Sequence, residues 1–230
     1  FIKMVVADNI GVYVDQIYTD PSEYNSISIL KGLLFYSFQI YCDFLGYSTI
    51  AIGCAKAMGY NLMDNFRTPY LSKSIGEFWQ RWHISLSTWF RDYVYFSLGG
   101  NRVKVQRWMI NVLIVFILSG LWHGANWTFV LWGLAHGLVY IIENIFNRIF
   151  KIKKSENNVV AVISNAFNLI KTFFVVSFIW ILFRASDIQQ VTLIFKSLVG
   201  NFGVTDNFTV DPKVWLFLGL FIAMDIVLFN

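Results

Sequence analysis

Residues 107–124 read RWMINVLIVFILSGLWHG, and no side chain between Arg107 and His123 carries a formal charge. A run this apolar is buried on every side, either in a large core or in a bilayer. The chain as a whole favours the bilayer. Of its 230 residues 57% are apolar and 14% charged, where soluble domains carry about 25% charge. An integral membrane protein is the expected class.

The cations support this reading. Arg102, Lys104 and Arg107 precede the run, while Arg148, Lys151, Lys153 and Lys154 follow a second apolar stretch, 126–147. Both clusters then lie on the cytoplasmic side of a helical hairpin over 107–147, as the excess of Lys and Arg in cytoplasmic loops requires. The net charge of +4 is explained by topology, and with no recognition-module pattern nucleic acid is not an expected partner. Cys42 and Cys54 lie in apolar sequence without metal-ligand spacing, so neither a disulfide nor a metal is expected. The start at Phe1, without a charged n-region or cleavage site, reads as an internal or C-terminal piece of a longer protein.

The first candidate for chemistry is His123. A buried imidazole costs free energy unless it is hydrogen-bonded, and its unperturbed pKa lies near neutrality. Sixteen residues from Arg107 span roughly 24 Å of helix, short of a ~30 Å hydrocarbon core. His123 is therefore expected within the membrane's thickness, beside a cavity where Gly120 and Gly124 admit another backbone or a ligand.

Other segments fall around this hairpin. Residues 1–26 read as interfacial, ending in a turn, and 27–57 as an apolar span region, either tilted or broken near Gly46. Asp43 within it is a functional candidate by its depth, or a structural hydrogen-bonding group. Residues 60–76 form a loop outside the hydrocarbon. At 100° per residue, 77–94 is one amphipathic border helix, with Phe78, Trp79, Trp82, Leu86, Trp89, Phe90 and Tyr93 on its apolar arc and a Glu77–Arg81 pair on the other. His83 falls on the border of the two arcs. His136, beside Gly133 and Gly137, is expected to pack and hydrogen-bond. After the polar connector KIKKSENN, C-terminal spans occupy 159–230: one over 159–184, interrupted by Lys171, a turn-rich stretch over 185–213, and a last apolar helix from Val214.

Three stretches, YCDFLGYSTIAIG (41–53), NFRTPYLSKSIGEFWQRWHISLSTWFRDYVYFSLGGNR (65–102) and SGLWHGANWTFVLWGLAHG (119–137), together resemble the membrane-bound O-acyltransferase (MBOAT) family, with the alginate O-acetylating branch the nearest in pattern. The resemblance implies an all-α polytopic bundle around a central funnel, with 1–230 part of a single membrane domain. It carries the family's WHG histidine onto His123 and its RWH histidine onto His83. Where the family often has a serine and a second acid after the first, this chain has Leu45 and Thr49, so no role for a carboxylate at 49 transfers.

The same resemblance implies transfer of an acetyl group from a cytoplasmic donor, acetyl-CoA, toward an extracytoplasmic polysaccharide or a periplasmic acetyltransferase partner, in a bacterial inner membrane. No bound cofactor is implied. His123 would be the general base or a transient acyl acceptor. His83 would orient the donor or stabilise the oxyanion, with Trp79 and Trp82 walling the acyl group. D-alanyl transfer to teichoic acid, or an acyl-group or solute transport subunit, are the competing functions.

Overall fold

A computed structural model describes residues 1–150, 158–203, 205–206 and 208–229. In chain order the helices are α1 (Asp8–Thr19), α2 (Ser26–Ala57), α3 (Ile75–Arg81), α4 (Ile84–Trp89), α5 (Val105–His123), α6 (Trp127–Phe150), α7 (Asn158–Arg184), α8 (Ile188–Gly200) and α9 (Pro212–Phe229). Short π-helical turns at Ile2–Ala7 and Phe90–Tyr95 add to them. No strand occurs among the described residues. Residues 151–157, nearly all of the expected polar connector with Lys151, Lys153 and Lys154, lie outside them. Three helices, Val105–His123, Trp127–Phe150 and Val159–Arg184, are long and apolar enough to cross a membrane, and the fold is the all-α, polytopic one expected.

The chain divides into two compact units, Phe1–Arg67 with Trp180–Asn230, and Thr68–Ile179. In the first, α2 runs unbroken for 32 residues, roughly 48 Å. Gly46 does not break it. The glycine instead lets the N-terminal turn approach, since a Cβ there would lie 3.0 Å from that of Lys3. The Lys3 ammonium pairs with Asp43, which assigns Asp43 a structural partner forty residues away in sequence. A second buried tie joins the Tyr41 hydroxyl to Asp225 at 2.5 Å.

The stretch 185–213, expected to be mixed and turn-rich, contains α8. Its start is a reciprocal cap: Asp187 accepts from the Gln190 amide at 2.8 Å, and the Gln190 side chain accepts from the Ser186 amide at 2.7 Å. Such a cap satisfies amides that a helix start leaves orphaned. Lys171 does not interrupt α7, because its ammonium meets Glu143 at 3.2 Å.

The second unit is built on the hairpin α5–α6. Its crossing is made backbone to backbone: a Cβ at Gly120 would sit 2.2 Å from the Phe129 carbonyl oxygen, and one at Gly133 2.2 Å from that of Phe116. Gly120 is thus a packing glycine, occupied by the partner helix and not open to a ligand. Before α5 the Gly99–Gly100 turn has φ of 96° and 56°, conformations that a side chain resists. Asn111, fully buried on α5, donates to the carbonyls of Leu98 and Gly100 and fixes this turn against the helix.

Candidate acyl-transfer site

The border segment departs most from expectation. One helix over 77–94 is corrected to three pieces: α3 ends at Arg81, Trp82 is extended, His83 takes a left-handed conformation (φ 42°, ψ 56°), and α4 gives way to a π-helical turn from Phe90. A continuous 100° wheel therefore fails beyond Arg81. Phe78, Trp82 and Phe90 are buried, whereas Trp89 and Tyr93, expected on the same face, are 51% and 67% exposed.

Polar ties hold this segment. Ser74 caps α3 by accepting from the Glu77 amide at 3.0 Å. Glu77 accepts from the Lys73 amide at 2.8 Å and, as expected, pairs with Arg81, also at 2.8 Å. Arg81 donates onward to the Thr68 hydroxyl at 2.9 Å. Glu143 on α6 accepts from the Ile75 amide at 2.8 Å, tying the segment to the hairpin. Past the break, Ser87 donates its amide to the His83 carbonyl at 3.0 Å and its hydroxyl to the Trp82 carbonyl at 3.2 Å.

These ties bring His83 to the end of α5. Its ring lies 6.1 Å from that of Trp122, which in turn meets the His123 ring edge-on at 4.9 Å. Both histidines are half-buried. Burial first, and the neighbouring His123 second, push the His83 imidazole down to about 4, so it is neutral at pH 7 and offers one N–H donor and one acceptor. A non-glycine residue in the left-handed region costs on the order of 1–3 kcal/mol, and such strain concentrates at functional sites.

His123 ends α5, with Gly124 as the cap and Asn126 starting α6 by accepting from the Thr128 amide at 3.1 Å. Because α5 begins at Val105 and has 19 residues, it spans roughly 28 Å, close to a full crossing. The two added residues lengthen the helix beyond the count from Arg107 and leave His123 at its end. Its shielding comes from the rings of Trp122, Phe129 and Trp132, at 4.9, 6.2 and 5.3 Å.

His136 lies behind this layer. It is fully buried, parallel to Phe78 at 6.2 Å and edge-on to Trp79 and Trp132 at 5.0 and 5.2 Å, a packing position, with Trp132 shared between it and His123. Trp79 also walls a cavity of about 520 Å³ between the border segment and the hairpin, together with Ile84, Ser87, Thr88, Arg91 and Tyr140. Trp82 does not share it. That residue is 4% exposed and packs with Tyr70 and Phe78.

The family model for the membrane-bound O-acyltransferases matches residues 12–185. The chain belongs to the MBOAT family. Among curated relatives of this MBOAT chain, the probable alginate O-acetylase AlgI of Pseudomonas aeruginosa is 39% identical over 196 residues, which cover 85% of this chain and 36% of that protein. The peptidoglycan O-acetyltransferase of Helicobacter pylori is 35% identical over 205 residues, 89% of this chain and 38% of the relative. A teichoic acid D-alanyltransferase of Bacillus subtilis matches a shorter stretch, 132 residues at 37% identity, covering 52% and 33%. The MBOAT chain thus spans little more than a third of the length of these relatives.

Proposed function

We propose that this MBOAT chain carries the histidine site of a membrane O-acetyltransferase, moving an acetyl group from cytoplasmic acetyl-CoA toward an extracytoplasmic polysaccharide or a partner acetyltransferase, in a bacterial inner membrane. The observation that carries the proposal is the convergence of His83 and His123 on Trp122, from two segments joined by the Glu143 tie. The longer match to acetyl-transferring relatives supports acetyl over D-alanyl transfer.

In the proposed step a neutral imidazole at His123 takes the proton of the acceptor hydroxyl as its oxygen attacks the thioester carbonyl. The C–S bond then breaks, and the thiolate leaves and is protonated. If His123 is instead a transient acyl acceptor, its ring nitrogen makes the first attack and the hydroxyl displaces it in a second. His83, neutral at pH 7, donates its N–H to the developing oxyanion or orients the donor. Trp79 and its cavity hold the acyl-donor side.

Reconstitution of the full-length protein with labelled acetyl-CoA tests this. Label appearing on an acceptor supports the enzyme. Passage of a solute across the bilayer with no covalent transfer supports the transport reading and removes the proposal.

A further inference from the structure

From Trp82 to Phe90 no residue carries a formal charge, and the break at Trp82–His83 opens that run. The contacts of residues 75–95 with the α5–α6 hairpin rise along it and then return. At the start Gly76 lies against Tyr140, whose ring a Cβ there would meet at 3.3 Å. Further on, the Trp79 ring meets Phe116 at 5.4 Å, and His83 then meets Trp122 at 6.1 Å. The way back ends at Tyr95, whose hydroxyl accepts from the Trp108 indole, just before the Leu98 and Gly100 carbonyls held by Asn111.

The rings of Trp108 and Tyr140 are themselves 6.3 Å apart, so both feet of the segment share one level. Trp108 and Trp122, met by a foot and by the tip, are fourteen residues apart on α5, a rise of roughly 21 Å. A helix lying in the membrane plane would meet the spanning helix α5 at a single level. Arg102, Lys104 and Arg107 follow the second foot and place the feet on the cytoplasmic side.

The cavity of about 520 Å³ fills the crook between the two arms: Trp79 and Gln80 line it from α3, Ser87, Thr88 and Arg91 from the returning arm, and Val115 from α5. Arg91 is its one charged lining residue, and Asp92 pairs with it at 2.8 Å. The exposed rings Trp89, Tyr93 and Phe96 lie outside this lining. On the rising arm, Arg81 is paired with Glu77, as charges at membrane depth are. Irregular backbone at that depth is tolerated only against protein or around water, and the break and the π-helical turn both flank this hydroxyl-lined space.

We propose that residues 75–95 form a re-entrant hairpin that enters the membrane from the cytoplasmic side with His83 at its tip, and that the cavity in its crook is an aqueous path from the cytoplasm toward that tip. Its neutral hydroxyl and amide lining suits an uncharged, hydrogen-bonding molecule. The path exists whatever chemistry His123 performs, so it stands apart from the proposed transfer.

Cysteine labelling of the full-length protein tests it, in a cysteine-free background and in vesicles of each orientation, with a membrane-impermeant maleimide. Arg91→Cys, Thr88→Cys and Ile84→Cys place thiols along the cavity from foot to tip, and Lys104→Cys is the cytoplasmic reference. All three are expected to react from the cytoplasmic side alone, fastest at 91 and slowest at 84. Should one of them fail to insert, Ser87→Cys lines the same cavity and takes its place. Equal rates at the three positions, which a segment lying flat on the membrane would give, no reaction at 88, or reaction from the extracytoplasmic side would each overturn the proposal.

Discussion

The two histidines are delivered by opposite means. His123 sits at the end of a hairpin whose helices touch backbone to backbone through Gly120 and Gly133. His83 sits in a broken segment with short helical pieces, held by Ser74, Glu77, Arg81, Thr68 and Glu143. The hairpin is specified by what is missing from two residues, the border segment by a chain of charged and hydroxyl groups. A rigid apolar frame can carry one half of a site, while the strained half needs directional bonds to hold its geometry.

The largest effect is expected on the hairpin. Gly133→Ala places a methyl group 2.2 Å from a carbonyl oxygen, which backbone cannot yield to cheaply, and overpacking of this kind costs about 3 kcal/mol or more. Thermal unfolding in detergent is expected to show collapse of the unit. A Gly133→Ala protein as stable as wild type would show that the close crossing is not essential.

On the border side, Glu143→Gln removes the carboxylate that serves both the Ile75 amide and Lys171, and is expected to cost about 2 kcal/mol, the range for hydrogen bonds to charged groups. Its signature should be local, with faster hydrogen exchange in 75–95 and little change in α5. Uniform loss of protection would blur the distinction between the two regions.

The depressed His83 pKa gives a third test. Between its unfolded value of 6.5 and about 4, the unfolded chain binds a proton that the folded one refuses. Stability is therefore full above pH 6.5 and falls on acidification, at up to about 1.4 kcal/mol per pH unit from this group. His83→Asn, which tolerates the left-handed backbone, should flatten that part of the profile relative to wild type. The smallest effect is expected for Ser74→Ala, about 1 kcal/mol for a lost cap, read as fraying of α3 by hydrogen exchange with the hairpin untouched.

The same contrast explains what could be read from the residues alone. The hairpin was readable because uncharged apolar length, basic flanks and Gly-flanked histidines are local signals. The break at Trp82–His83 was not: no glycine or proline marks it, and the bonds that hold it reach Thr68 and Glu143. Asp43 drew attention by its depth, yet its partner, Lys3, is forty residues away. For α8 a signal existed in Asp187 and Gln190, masked by the mixed composition around it. Trp82 and Trp79, alike in sequence, separated only once the broken backbone sent one into the core and the other to the cavity wall.

The central claim is that His123 performs the transfer and the border segment only presents its partner group. The direct measurement is acetyl transfer from labelled acetyl-CoA by full-length His123→Ala in membranes, alongside wild type and a check of membrane insertion. Complete loss of transfer with normal insertion is the predicted result. Transfer at the wild-type rate in that variant would contradict it.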